Sequence, residues 1–192
     1  MIIRFCYKII TRIIKLYISF EKKQQNISFK KIIFNNGGKI GSDVKFGHNV
    51  KISGFKNIKI GNNVHIGKGC FIRSEGGLSI GDNVILSRNI VLYTYSHNYK
   101  GELLPFDRNN INKPVIIGDN VWIGMNVTIA PGTIIREGAI IGLGSRIYGE
   151  IPTRAIVGSR GNIIGYRDDN HYKNLKNLKK FCKENGKEYI EY

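Results

Sequence analysis

His97 is the residue of this 192-residue chain whose type and setting best suit chemistry. It lies in the polar and aromatic stretch Tyr93-Thr94-Tyr95-Ser96-His97-Asn98-Tyr99, which continues through Lys100-Gly101-Glu102 and ends at Lys113-Pro114. An imidazole, with an ordinary pKa of about 6.5, can take a proton from a hydroxyl at neutral pH and so act as a general base. Tyr95 and Asn98 flank it and are candidates for contacts to an acceptor. His48, His65 and His171 have no comparable setting. No cysteine or serine is read as a nucleophile, and no covalent intermediate is expected. Cys6, Cys70 and Cys182 are odd in number and far apart, which argues against a disulfide framework or a metal site and fits a reducing compartment.

The elements that must position His97 are announced by the glycines, 23 of them against 4 prolines, with no collagen-like triplet and no flexible linker. Within each block an aliphatic residue followed by Gly or another small residue recurs every six positions, and two-residue insertions join blocks by a step of eight. The series starts at Ile40, Phe46 and Ile52, continues at Ile60, Ile66 and Ile72, and then at Ile80, Leu86 and Leu92. After a gap it resumes at Ile117, Ile123, Ile129, Ile135, Ile141 and Ile147. Gly61-Asn62-Asn63, Gly81-Asp82-Asn83 and Gly118-Asp119-Asn120 supply residues that tolerate turn backbone. Three such hexads close one triangular coil, so the aliphatic residues stack inward as a column. The expected fold is an all-β solenoid of about five coils over residues 40–152, and the His97 segment is its one long insertion, residues 96–114. A β-sandwich would show period-two alternation instead.

These hexads resemble the left-handed parallel β-helix of the hexapeptide-repeat acyltransferases, in particular the galactoside, maltose and polysaccharide O-acetyltransferases. The similarity covers residues 60–160 and rests on Pro114-Val115, Gly118-Asp119-Asn120-Val121-Trp122-Ile123-Gly124, Ile129-Ala130-Pro131-Gly132 and Ile141-Gly142-Leu143-Gly144-Ser145. In that family the same coil ends in a His followed by a loop that reaches a neighbouring subunit. The resemblance implies His97 as catalytic base, acetyl-CoA as co-substrate, no metal, and a homotrimer acting on a saccharide acceptor. It places Trp122 at the acetyl end of the cofactor channel, with Gly124, Met125, Gly142 and Leu143 along the cofactor arm. Arg160 is the candidate for a coenzyme A phosphate, with Arg154 and Arg167 behind it. Two departures concern the acceptor: Gly67 stands where the galactoside enzymes carry an acceptor-binding Asn, and Gly158-Ser159-Arg160-Gly161-Asn162 replaces the usual Gly-Asn-Pro-Ala ending.

The chain is strongly basic, with a formal net charge of +16. Half of that excess falls in residues 1–39, which implies a local surface facing something anionic. In residues 1–20, Arg4, Lys8, Thr11, Arg12, Lys15 and Ser19 recur at helical steps, and the remaining positions are Met, Ile, Leu, Phe, Tyr and Cys. No run is long enough to span a bilayer. The segment reads either as a helix packed on protein or as one lying on an anionic membrane through residues 1–25. Glu21 to Gln25 reads as its polar exit. Asp168, Asp169 and Asn170 offer caps for a C-terminal helix whose apolar face is Tyr172, Leu175, Leu178, Phe181 and Cys182, with Gly186 suited to its end.

The expected organisation is a basic amphipathic helical segment (1–36), the β-helix acyltransferase domain (37–165) and a C-terminal helix and tail (166–192). The expected activity is acetyl transfer to a sugar hydroxyl of a cell-surface polysaccharide or its precursor. The expected location is the cytoplasm, peripheral at the inner face of the membrane. Two alternatives stay open: N-acetylation of an amino-sugar nucleotide or an antibiotic, and a non-catalytic scaffold bound to an anionic surface. Nucleic acid is disfavoured as a partner, because the aromatics are not interleaved with basic residues as a stacking platform requires.

Overall fold

The hexad series folds as a parallel β-solenoid, seen in a computed structural model that describes residues 2–182. Its three faces are sheets of short parallel strands, and the aliphatic residue of each hexad is the rung of a ladder. On the first sheet Ile40 pairs with Ile60, Ile60 with Ile80, Ile80 with Ile117, Ile117 with Ile135 and Ile135 with Ile151. On the second the ladder runs Phe46, Ile66, Leu86, Ile123, Ile141, Val157. On the third it runs Ile52, Ile72, Leu92, Ile129, Ile147. Nearly all of these side chains are buried in one continuous core.

The first sheet has six rungs rather than the expected five. The extra coil holds Ile151 and Val157, and sequence spacing hides it because Ile147 and Ile151 are four residues apart. A last strand, Ile163–Tyr166, turns back antiparallel on Ala155–Val157 and finishes the second sheet.

The Gly-Asn-Asn and Gly-Asp-Asn turns stack into a column at the corner between the first and second sheets. Asn63, Asn83 and Asn120 all take positive φ, a conformation that Asn tolerates better than most residues. Their amides form a ladder: Asn63 Nδ2 donates to Asn83 Oδ1 (2.9 Å), and Asn83 Nδ2 to Asn120 Oδ1 (3.2 Å). The residue before each one bonds to the previous coil, so Asp82 Oδ1 accepts from Asn62 N (2.6 Å) and Asp119 Oδ1 from Asp82 N (2.8 Å). A Cβ on Gly81 would collide with the Asp119 carboxylate, which is why that position is glycine.

Helix α1, Ile2–Asn35, runs unbroken through Glu21–Gln25, so that stretch is not an exit from the helix. Glu, Lys and Gln are good helix formers, and the polar residues that follow have work on the first coil. Asn26 Oδ1 accepts from Phe46 N (2.7 Å), Asn26 Nδ2 donates to Phe46 O (2.8 Å) and Gln25 Nε2 to Val50 O (3.3 Å). Phe29 lies 5.0 Å from Phe46, ring centre to ring centre, and Ile33 is fully buried. The C-terminal third of α1 thus covers the open end of the solenoid, where an exposed core needs a cap.

Helix α2, Asp169–Asn177, is capped by Asp168, whose carboxylate accepts from His171 N at 2.6 Å. It is shorter than expected. Leu178 is its C-cap, Phe181 and Cys182 lie beyond it, and Gly186 lies outside the described residues. The helix clips onto the asparagine corner: Tyr172 OH accepts from Asn120 Nδ2 (3.0 Å) and donates to Glu137 Oε1 (2.9 Å), which also takes Lys176 Nζ at 2.5 Å.

Candidate active site

The third sheet is left after Val91–Tyr93, at the corner between the third and first sheets. Thr94, fully buried, anchors that corner, with Oγ1 donating to Arg73 O (2.9 Å) and accepting from Gly76 N (2.8 Å). The insertion then forms a hairpin, Tyr95–His97 antiparallel to Asn110–Asn112. His97 comes last on the outgoing strand, opposite Asn110, and is exposed.

Aromatic contacts hold the imidazole. The ring of Phe106 stacks on it at 4.0 Å, with the two planes 8° from parallel, and Tyr95 meets it edge-on at 6.2 Å. Tyr95 itself is buried, with the Arg73 guanidinium 5.2 Å over its ring. Burial pushes its phenol above the ordinary value, so it stays protonated at neutral pH. Asn98 is occupied within the loop: its Nδ2 donates to Asp107 Oδ2 (2.8 Å) and its Oδ1 accepts from Lys100 N (3.2 Å). Asp107 also accepts from Asn109 N (2.8 Å) and so ties the hairpin together. Phe106 and Asp107 carry no sequence signal, because the loop has no period to set them against. At the tip Leu103, Leu104 and Tyr99 are exposed, Leu104 almost completely at 96%.

The residues expected along a cofactor arm gather at a different corner, between the second and third sheets. Trp122 opens the second-sheet strand Trp122–Ile123 of the fourth coil, just before this corner, and is half exposed, with Nε1 donating to Ser87 Oγ at 3.3 Å. Gly124 and Met125 turn that coil, Gly142 and Leu143 turn the next, and Arg160, exposed, follows on the last. Gly144 N donates to Met125 O (2.8 Å), which joins the first two turns. A Cβ on Gly124 would come within 2.8 Å of Leu143 N and one on Gly142 within 2.7 Å of Val157 O, so the stacking of coils demands glycine at both. The exposed side chains of Trp122, Met125 and Leu143 make an apolar strip along this corner. Such a strip fits the apolar part of a pantetheine arm.

Parallel strands put all their starts at one edge of a sheet and all their ends at the other. The Met125 corner feeds Thr128–Ile129 on the third sheet, whereas His97 follows the end of its neighbour Val91–Tyr93. Within one chain the base and the strip therefore lie at opposite edges of the same face. Arg154 joins neither and pairs with Asp169 at 2.6 Å, whereas Arg167, whose Nε donates to Gly138 O at 2.7 Å, lines a cavity beside α2 together with Trp122. Cys70 is buried, its thiol pushed up to about 11 by that burial, and is unsuited to nucleophilic work. Among the described residues, no group of three His, Cys, Asp or Glu side chains is placed to hold a metal.

Two family models match the chain: the bacterial transferase hexapeptide, in six repeats, at residues 114–149, and the hexapeptide repeat of succinyl-transferase at residues 57–94. The matched coils are similar to the hexapeptide repeats of bacterial transferases, and the chain is similar to the hexapeptide-repeat acetyltransferases. Galactoside O-acetyltransferase of Escherichia coli is 35% identical over 82 residues, which is 41% of this chain and 38% of that protein. A hexapeptide-repeat acetyltransferase of Vibrio cholerae, solved with acetyl-coenzyme A, superposes with a TM-score of 0.60 at 25% identity, covering 68% of this chain and 72% of that one. Galactoside acetyltransferase with coenzyme A superposes at 0.57 and 24% identity, covering 79% and 84%, a likeness of fold. The chain spans about two fifths of the length of the first curated relatives it matches, 40% and 38%.

Proposed function

We propose that the protein transfers acetyl from acetyl-coenzyme A to a hydroxyl of a saccharide. The observation that carries this reading is the presence, on repeats similar to those of the transferases, of both a stacked, solvent-facing imidazole and an apolar strip of Trp122, Met125 and Leu143. His97 takes the proton of the acceptor hydroxyl as the oxygen attacks the thioester carbonyl. Backbone N–H groups stabilise the tetrahedral oxyanion. The C–S bond then breaks, the acetyl ester forms, and the proton held by His97 goes to the departing thiolate of coenzyme A.

The acceptor belongs on a cell-surface glycan or its precursor. Supporting this, a protein of Escherichia coli named for acetylation in colanic acid biosynthesis is 27% identical over 126 residues. The assembly is a homotrimer, in which the His97 loop of one copy meets the Trp122 strip of the next. The apolar loop tip at Leu103 and Leu104 suits such a contact.

Purified protein given acetyl-coenzyme A and saccharide acceptors should release free thiol and form an acetylated product that mild alkali cleaves. An alkali-stable product would indicate an amide and an amino-sugar acceptor. An absence of turnover with every acceptor would return the protein to the class of binding scaffolds.

A further inference from the structure

Beyond the coils, α1 leaves a long run of apolar residues uncovered. Its contacts to the solenoid come from Gln25 to Ile33. The helix is about 50 Å long, and well over half of it extends past that dock. On the extended part Ile10, Ile13, Leu16, Tyr17 and Phe20 are exposed, each by half or more. Arg4, Lys8, Thr11, Arg12, Lys15 and Ser19 share one stripe, and the apolar residues occupy the rest, about 200° of the circumference. Residues 4–20 hold four bases and no acid.

Width and charge together decide what this face fits. A seam against another helix needs only a narrow stripe at a and d positions. Here Ile9, Ile14 and Ile18 also stand exposed outside such a stripe. An in-plane helix at a lipid surface uses a broad apolar face, sunk into the boundary between headgroups and acyl chains, under a basic face that stays with the headgroups. Tyr17 has the form for that boundary, an apolar ring with its hydroxyl bonded at 2.8 Å to Glu21 Oε1. No helix among the described residues is long and apolar enough to cross a membrane, so the helix would lie on the surface.

We propose that residues 4–20 are a docking helix for an anionic lipid surface, holding the solenoid beside the membrane through the Asn26–Phe46 contact. This stands on α1 alone and does not depend on the acetyl-transfer reading.

The test is co-sedimentation of the full-length protein with vesicles. It should bind vesicles of phosphatidylcholine mixed with phosphatidylglycerol, should bind phosphatidylcholine alone far more weakly, and should be released by rising salt. Replacing Arg12→Gln and Lys15→Gln together should weaken the partition about 30-fold, since each basic residue contributes about 1 kcal/mol near an anionic leaflet. Replacing Ile10→Asp and Ile13→Asp should abolish it while leaving the circular dichroism of the coils and the mass of the lipid-free protein unchanged. The proposal fails if the protein ignores phosphatidylglycerol vesicles at low salt, or if the Asp variants bind them as the parent does. It also fails if the Asp variants lower the solution mass, because the face then belongs to a second copy of the chain.

Discussion

His97 lies face to face with Phe106, ring centres 4.0 Å apart and planes 8° from parallel, so a loop residue nine positions on fixes the orientation of the candidate base. Replacing His97→Ala should leave the coils intact, because the imidazole is outside the stacked core, and should lower turnover at least about 100-fold. Replacing Phe106→Ala should lower kcat by a smaller factor with little change in KM, because the base survives but is less well aimed. Steady-state kinetics on both variants checks this, and an unimpaired His97→Ala would remove His97 from the mechanism.

The base and the Trp122 strip lie at opposite edges of one face, so the shared-site reading makes a specific demand. His97→Ala and Trp122→Ala proteins, each nearly inactive alone, should recover part of the activity when unfolded and refolded together. Some mixed assemblies then contain one site with both residues intact. Mass measurement in solution should give three copies. Activity in a strictly monomeric preparation would contradict a shared site.

The asparagine corner makes a prediction about stability. Asn83→Ala loses the amide ladder and also forces alanine to a φ of 56°, a left-handed conformation costing about 1–2 kcal/mol. Asn83→Gly loses the ladder alone. Both variants should unfold at lower denaturant than the parent, the alanine variant lowest. Equal midpoints would show that backbone conformation contributes nothing there.

The docking of α2 should depend on pH at both extremes. Burial alone would raise the Glu137 carboxyl, but the hydrogen bonds from Lys176 and Tyr172 outweigh it and hold the group below its ordinary value. A depressed carboxyl stabilises the folded form above its unfolded pKa of about 4.3, and that contribution is lost as the pH falls through the lower folded value. Tyr172 is pushed up to about 12, first by burial and then by its hydrogen bond to Glu137. A raised phenol stabilises the folded form below its unfolded pKa of about 10, and the contribution disappears as the pH climbs from there to about 12. The protection of amides along α2, taken relative to their intrinsic exchange rate at each pH, should therefore be highest between these limits and fall beyond either. Glu137→Gln should shrink the acid limb and leave the part carried by Asp169, which the hydrogen bond from Lys173 and the charge of Arg154 hold below its ordinary value.

The column of aliphatic residues was legible in the sequence because each hexad repeats one local environment. Every aliphatic residue of the series from Ile40 to Ile147 occupies a rung, as a six-residue period requires when three hexads close a coil. The coil of Ile151 and Val157 was not legible, because a shortened corner breaks the period while the hydrogen bonds to the coil before it still set the register. His97 could be picked out as a polar residue where the period stops. The stacking of Phe106 on it, and the Asp107 carboxylate that closes its hairpin, depend on how a loop without period folds back on itself. Helix α1 shows the same division. Its two faces follow from residue spacing, which is local. That its last third caps the first coil, leaving the rest bare, was decided by where Asn26, Phe29 and Ile33 found unpaired backbone and open core at the end of the solenoid.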